Sequence, residues 1–292
     1  MKLLVTNDDG VASPGLWALA DGLRDAGHDV VVVAPDDERS GSGAAIGHII
    51  PGQGVAAAPV ERAGWEGAAW AVDGAPALCV LLALRLGAFG TGFDAVVSGI
   101  NPGWNTGQGV IHSGTVGAVL TGGNSGLPGV AVSIDAATAQ VGEVGLVPGR
   151  QERWATAVAL AVVAVGWLAG LDPPAEGTVP VLLNLNVPNC ALDEVAGVRT
   201  ARLGRSTASG IRRQRVDVGP DGQVCLELGP PAVDPSPGTD NALLPLGFAT
   251  VSVLTGIGDA PSAGGEVVEA LMDLIDRPVA EPVTRTRPSW PC

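Results

Sequence analysis

The sequence predicts an α/β protein: a mostly parallel sheet with helices on both faces. Short, wholly apolar runs such as Leu3-Leu4-Val5 and Val30 to Ala34 read as strands buried on both sides. They alternate with stretches of helical spacing, the β-α-β rhythm of a parallel sheet. Several strands also stop abruptly in polar, glycine-rich loops, and ligands of open α/β sheets sit at strand carboxyl ends.

Each element follows from its local pattern. The first strand, Lys2 to Val5, ends at Thr6-Asn7-Asp8-Asp9-Gly10, and Pro14 suits the first turn of a helix. Leu16, Leu19, Ala20 and Leu23 keep helical spacing up to Gly27, a plausible C-cap. Val30 to Ala34 is the second strand, followed by the polar loop Pro35 to Gly43. Strand-like pieces near Ile46 to Ile50 and Ala69 to Val72 precede a helix opened by Pro76 and running to about Leu86.

Asp94 to Ser98 reads as a further parallel strand, with a long loop from Gly99 to His112 and a helix starting at Ser113 or Thr115. Pro128 to Ser133 is a strand, Arg153 to Leu171 a long helix, and Val181 to Val187 a strand. Beyond about Gly197 the rhythm changes to short β-like segments with turns such as Pro220-Asp221-Gly222. Ala249 to Leu254 and a helix over Glu266 to Ile275 return to the main layer, and the tail from Arg277 is irregular. The expected organisation is one domain over 1–276, with an extended arm over about 197–247 and a proline-rich tail over 277–292.

Composition narrows the function. The 292 residues are 46% hydrophobic and carry a formal net charge of −14, against a general nucleic-acid binder that relies on phosphate neutralisation. A phosphorylated substrate would then need local positive charge from a metal, a helix N-terminus or placed arginines. Apolar stretches are interrupted by charges or helix breakers before roughly 18 residues, so no membrane span and no secretory leader are expected. The protein is expected in the cytoplasm. Cys79, Cys190, Cys225 and Cys292 form no CxxC pair, which suggests reduced thiols.

The loops carry the chemistry. Asp8 and Asp9 stand together at a strand end, where two carboxylates favour a hard divalent cation. The alternative is a helix cap by Asp9 with Asp8 solvated. Ser40, flanked by Gly41, offers a neutral oxygen ligand or merely a turn. Asn101 can give a carbonyl oxygen to a cation and Asn105 an NH₂ donor to a phosphate. Ser113-Gly114-Thr115 opens a helix whose N–H groups and positive end suit an anion, although an ordinary cap explains a serine there as well. No Walker A lysine and no GxSxG elbow are present. His112 is a candidate general acid or a structural residue. Six arginines between Arg199 and Arg215, with no acid among them, form a basic island. It serves either as a surface arm or as an attractor of anionic substrate.

Taken together these stretches resemble the SurE family of metal-dependent nucleotidases. The likeness rests on Thr6-Asn7-Asp8-Asp9-Gly10 with Ser13-Pro14-Gly15, Ala34-Pro35-Asp36 with Glu38-Arg39-Ser40-Gly41, and Val72-Asp73-Gly74-Ala75-Pro76. It continues through Ser98-Gly99-Ile100-Asn101, His112 to Gly117, Asn184-Leu185-Asn186-Val187-Pro188 and Gly238-Thr239-Asp240. The resemblance implies a Rossmann-like fold, one divalent cation per subunit (Mg²⁺ or Mn²⁺), and hydrolysis of nucleoside 5′- or 3′-monophosphates. It implies Asp8, Asp9, Ser40 and Asn101 as metal ligands, and Asp8, Asp9 and Asn105 as the catalytic set. Asn7, Ser113, Gly114 and Thr115 would bind the phosphate. It also implies a homodimer or homotetramer built through the C-terminal β-rich arm, with neither nucleic-acid duplex nor membrane as partner.

Three departures bear on substrate choice: Gln108 and Gly109 replace acidic residues common in the family, His112 a tyrosine, and Thr121 a glutamate. Two alternatives to a general nucleotidase stay open. One is a phosphatase specialised for a pathway intermediate, the other a non-catalytic nucleotide-binding protein.

Overall fold

The computed structural model describes residues 1–47, 50, 52, 54–135, 141–142, 145–146, 154–172, 178–205, 212–218, 224–229 and 236–256. In chain order the strands are β1 (Lys2–Thr6), β2 (Asp29–Pro35), β3 (Ala57–Pro59), β4 (Ala69–Val72), β5 (Ala95–Pro102) and β6 (Gly129–Ile134). Then come β7 (Val141–Gly142), β8 (Gly145–Leu146), β9 (Leu182–Val187), β10 (Val198–Thr200), β11 (Arg212–Val218), β12 (Val224–Gly229) and β13 (Ala249–Leu254). The helices are α1 (Pro14–Asp25), α2 (Pro76–Leu86), α3 (Gly114–Gly123), α4 (Trp154–Ala169) and the single turn α5 (Asp240–Leu243).

The main sheet has nine strands in the order β10-β13-β9-β6-β5-β1-β2-β4-β3. All its pairings are parallel except β3 with β4 and β13 with β9. From β1 the chain winds outward through β2 to one side, and β5 begins the other, so the switch point lies between β1 and β5. Strand alternation explains why the runs are apolar throughout. Leu3, Val5, Val32 and Val97 join one core cluster, with residues of α1 and α4, while Leu4, Val33 and Val96 join another, with residues of α2 and α3. A sheet covered on both faces leaves its strand ends as the place for polar groups.

The sequence expectations differ from the structure at a few points. No strand forms at Ile46, Gly47 or Ile50; Gly43 and Gly47 adopt positive φ (55° and 70°), which breaks extended pairing there. Ala57–Pro59 supplies the edge strand instead. The strand expected to end at Ser98 runs on to Pro102, because after an irregularity Asn101 resumes pairing with Ser133. Arg212–Val218 and Val224–Gly229 form an antiparallel ribbon, in keeping with the β-rich segment expected after Gly197. The turn at Pro220, the helix over Glu266 to Ile275, the 276 domain boundary and the tail lie outside the described residues. Among the described residues no helix is long and apolar enough to cross a membrane.

Candidate active site

The turn after β1 is set by buried polar contacts. Asn7 is fully buried and its Nδ2 donates to the carbonyl of Gly10 at 3.0 Å, folding the chain back after the two acids. Gly10 has φ 88°, and its backbone lies against Asp37, so a side chain has neither the conformation nor the room there. The helix begins only at Pro14, with Ser13 at the N-cap. Neither Asp8 nor Asp9 caps it, which removes the plain structural reading of the pair.

Asp8 is 4% exposed. Its Oδ1 accepts the hydroxyl proton of Thr115 at 2.5 Å, and its carbonyl accepts the Arg39 N–H at 2.7 Å. Burial pushes the carboxyl pKa above the ordinary range; hydrogen bonding from Thr115 and from backbone N–H groups at Asp8, Thr115 and Gly114 pulls the other way without cancelling it. Asp9 is half-buried beside it. A carboxylate forced into this desolvated place would be stabilised in its charged form by a cation.

The start of α3 closes over Asp8. A Cβ at Gly114 would lie 2.7 Å from Asp8 Cβ, 2.8 Å from Asp8 Oδ2 and 2.7 Å from Ser42 Oγ, so only glycine fits. Gly117 meets the Gly43 carbonyl in the same way, at 2.1 Å. The loop after β2 is thus locked onto α3, and the Gly43 N–H donates to the His112 carbonyl at 3.1 Å. Ser113 is the N-cap of α3, its Oγ accepting the Val116 N–H at 3.1 Å.

Asn105 is fixed by a clamp from β9. Asn186 Oδ1 accepts its N–H at 2.8 Å, and the Nδ2 groups of Asn184 and Asn186 both donate to its carbonyl, at 2.8 and 2.9 Å. Its own Nδ2 donates to Ser133 Oγ at 2.9 Å. Asn101 sits on the neighbouring strand end with its Nδ2 donating to the Gly103 carbonyl at 2.6 Å, which leaves the amide oxygen as its acceptor end.

The predicted residues therefore fall into three groups. Asp8, Gly114 and Thr115 are brought into direct contact, and Asp9, Asn101, Asn105 and Ser113 lie on the strand and helix ends around them. Asn7 is buried under the turn and shapes it. Ser40 is exposed and its hydroxyl donates to Glu38 at 2.9 Å. In its loop it is Ser42 whose hydroxyl is buried close to Asp8, with no hydrogen-bond partner among the described residues. His112 is exposed and contributes its carbonyl.

In the basic island, Arg199 stacks on Phe248 and Arg202 donates to the Pro237 carbonyl. These are structural contacts. The side chains of Arg212, Arg213 and Arg215 lie outside the described set.

Sequence reasoning missed Ser42, the clamp from Ser133, Asn184 and Asn186, and the buried Asp240. The signal for the clamp was present: asparagines two apart in an apolar strand point to one face.

The donor set fits a hard divalent cation. Among the described residues no three His, Cys, Asp or Glu side chains gather to hold a metal. The chemistry such an ion takes is nonetheless present in Asp8 and Asp9 with neutral oxygens: Asn101 offers an amide oxygen, and Asn7 Oδ1 and Ser42 Oγ are buried with no hydrogen-bond partner among the described residues. Sulfur and imidazole are absent from this cluster.

The model of the family described as "Survival protein SurE" matches residues 3–210. The chain is 37% identical over 243 residues to a protein named 5′-nucleotidase SurE from Xylella fastidiosa (strain M12), covering 82% of this chain and 84% of that one. It is 38% identical over 242 residues to a protein of the same name from Xanthomonas euvesicatoria pv. vesicatoria (strain 85-10), with the same coverage of 82% and 84%. The crystal structure of the SurE protein from Aquifex aeolicus superposes with a TM-score of 0.71 at 26% identity, over 94% of this chain and 100% of that one. The chain belongs to the survival protein SurE family.

Proposed function

We propose that this chain is a metal-dependent phosphomonoesterase that hydrolyses nucleoside monophosphates to nucleoside and phosphate. The observation that carries the reading is the buried Asp8 carboxylate held against the first turn of α3. It brings a cation-seeking group and an anion-seeking helix end together. The relatives' printed name, 5′-nucleotidase, supports the substrate class.

In this reading Asp8, Asp9 and the Asn101 amide oxygen hold one divalent cation, Mg²⁺ or Mn²⁺. Ser40 joins them if its hydroxyl turns away from Glu38; Ser42 is the nearer hydroxyl. When bound there, the cation would supply polarisation of a phosphate oxygen and a lowered pKa for a water. The protein's own groups do the rest. Thr115 donates its hydroxyl to Asp8, and its backbone N–H and that of Gly114 also point at this carboxylate, so the two residues hold the metal ligand against the helix end that takes the phosphate. Ser113 accepts from Val116 and keeps its hydroxyl proton to donate. Asn105 has one amide hydrogen on Ser133 and a second for a phosphoryl oxygen. In this reading these donors face the charge that grows on the transferring group, with Asn105 fixed beforehand by the β9 clamp and Ser113 by its cap on α3. The burial of Asp8 and the pinning of its Oδ1 favour its role as ligand over that of nucleophile. We also place the enzyme in the cytoplasm, as one domain over 1–276 that assembles into a homodimer or homotetramer through the 197–247 arm.

The test is a panel of nucleoside 5′- and 3′-monophosphates with Mg²⁺ or Mn²⁺, and p-nitrophenyl phosphate as control. Phosphate release that stops with EDTA supports the reading. Turnover of p-nitrophenyl phosphate alone would sink the nucleotide assignment, and EDTA-resistant turnover would sink the metal.

A further inference from the structure

Asp240 is fully buried and takes no part in the chemistry described above. Its two carboxylate oxygens bind backbone from three places. Oδ2 accepts the Gly107 N–H at 2.7 Å; Oδ1 accepts the N–H of Gly204 at 2.9 Å and of Asn241 at 2.8 Å. Gly107 belongs to the segment that leads from Asn105 to Ser113, and it is 133 residues away in sequence. A second bond runs alongside, from the Gln108 N–H to the Gly204 carbonyl at 2.9 Å, and the Asp240 N–H itself donates to the Arg202 carbonyl at 3.0 Å. Space is equally specific: a Cβ at Gly204 would lie 2.5 Å from Asn241 Nδ2 and 3.3 Å from Asp240 Oδ1. A buried carboxylate is costly unless its oxygens are satisfied, and charge-assisted bonds to N–H groups are the strong kind.

We infer that Asp240 is a positioning residue for the phosphate-binding segment, a latch that ties Gly107 to the backbone at Gly204, within the arginine-rich stretch. The inference rests on the reading of Asn105 and Ser113 to Thr115 as phosphate holders. The segment from Asn105 to Ser113 is fixed at its start by the β9 clamp and at its end by the Gly43 bond to His112. Asp240 fixes its middle. Through Gly204 the latch also links the position of this segment to the course of the arm.

Asp240→Asn separates the bonds. One amide oxygen can still serve Gly204 and Asn241, but the NH₂ then faces the Gly107 N–H, donor against donor. Gly204→Ala reaches the same latch from the other side by crowding Asn241, and leaves the carboxylate in place. In the full-length protein with Mn²⁺, both variants should raise the inhibition constant of inorganic phosphate and the KM for AMP by roughly 10-fold or more, the scale of a lost charge-assisted bond. The Mn²⁺ activation constant should stay unchanged, because Asp8 and Asp9 sit in the turn after β1, away from the latch.

Hydrogen exchange supplies a readout independent of turnover: amides of residues 105–112 should exchange at least roughly 10-fold faster, and those of β1 and α1 at the wild-type rate. Unchanged phosphate inhibition and unchanged local exchange would overturn the inference, and so would a parallel loss of Mn²⁺ and phosphate affinity. If Asp240→Asn does not fold, Gly204→Ala decides on the same readouts. Faster local exchange in the variants, with phosphate inhibition insensitive to Ser113→Ala in the wild-type background, would keep the latch and overturn the phosphate site instead.

Discussion

Thr115 lies 107 residues after Asp8, yet its hydroxyl donates to Asp8 Oδ1 over 2.5 Å at the first turn of α3. The bond fixes one carboxylate oxygen and so aims the other. Thr115→Val keeps the shape and removes the donor. It should lower kcat/KM by roughly 10- to 100-fold and destabilise the fold by about 1–3 kcal/mol, the cost of an unsatisfied buried acceptor. Thr115→Ser should restore most of both. Steady-state kinetics with chemical denaturation of the pair checks this; equal activity in the valine and serine variants would refute it.

Asp8 supplies a pH signature in the metal-free protein. Its folded pKa is raised by burial, so between the ordinary carboxylate range and that raised value the folded state binds more protons than the unfolded one. Stability therefore falls as pH rises through this window and stays lower above it. Asp8→Asn keeps an oxygen for Thr115 and removes the charge. In EDTA near neutral pH the variant should melt at a higher temperature than wild type. The difference should close as pH falls towards the ordinary carboxylate range. Added Mn²⁺ should raise the wild-type melting temperature and leave the variant's unchanged. Turnover should vanish. A variant less stable than wild type in EDTA at every pH contradicts the burial argument.

Gly114 and Gly117 separate two kinds of crowding. Gly114→Ala pushes on Asp8 and Ser42 side chains, so its main effect should be loss of activity and of Mn²⁺ stabilisation, with about 1–3 kcal/mol lost in stability. Gly117→Ala pushes on the Gly43 backbone at 2.1 Å, which cannot rotate away. It should cost more in stability and displace the 39–47 loop. Melting curves in EDTA and in Mn²⁺ distinguish the two; a larger Mn²⁺ defect in Gly117→Ala would reverse the assignment.

How far these features could be read in the sequence depends on the range of the interaction. The central strands were legible because burial on both faces removes every polar residue from Leu3 to Val5 and from Val30 to Ala34. Asp8 and Asp9 were legible because two acids rarely follow such a run. Strand β5 was cut short at Ser98, since Gly99 and Asn101 look like loop residues; pairing with Ser133 overrides that local signal. Ser40 and Ser42 sit in one glycine-rich loop, and no spacing rule says which hydroxyl turns inward. The partners of Thr115, Asn105 and Asp240 lie tens to more than a hundred residues away, set by sheet topology.

The clamp on Asn105 yields a graded prediction. Asn186 uses both ends of its amide on the backbone of one residue: Oδ1 takes the Asn105 N–H and Nδ2 gives to the Asn105 carbonyl. Asn184 duplicates only the second of these. Asn186→Leu, of similar volume and fully buried, would leave the Asn105 N–H unpaired and its carbonyl with one donor. Asn186→Asp would keep the N–H partner but set a carboxylate against the carbonyl, so its damage should grow as pH rises above the carboxylate range. Asn184→Leu leaves the carbonyl with its Asn186 donor and should be mildest. The expected order of loss in kcat/KM is therefore Asn186→Leu greater than Asn184→Leu, spanning roughly 10- to 100-fold for the former, with about 1–3 kcal/mol lost in stability. Because either asparagine alone still leaves the Asn105 carbonyl one donor, the double variant orphans it and should lose more than the sum of the singles. Kinetics and denaturation of the four proteins test this, and strictly additive losses would mean that the two side chains do not share Asn105 as their common target.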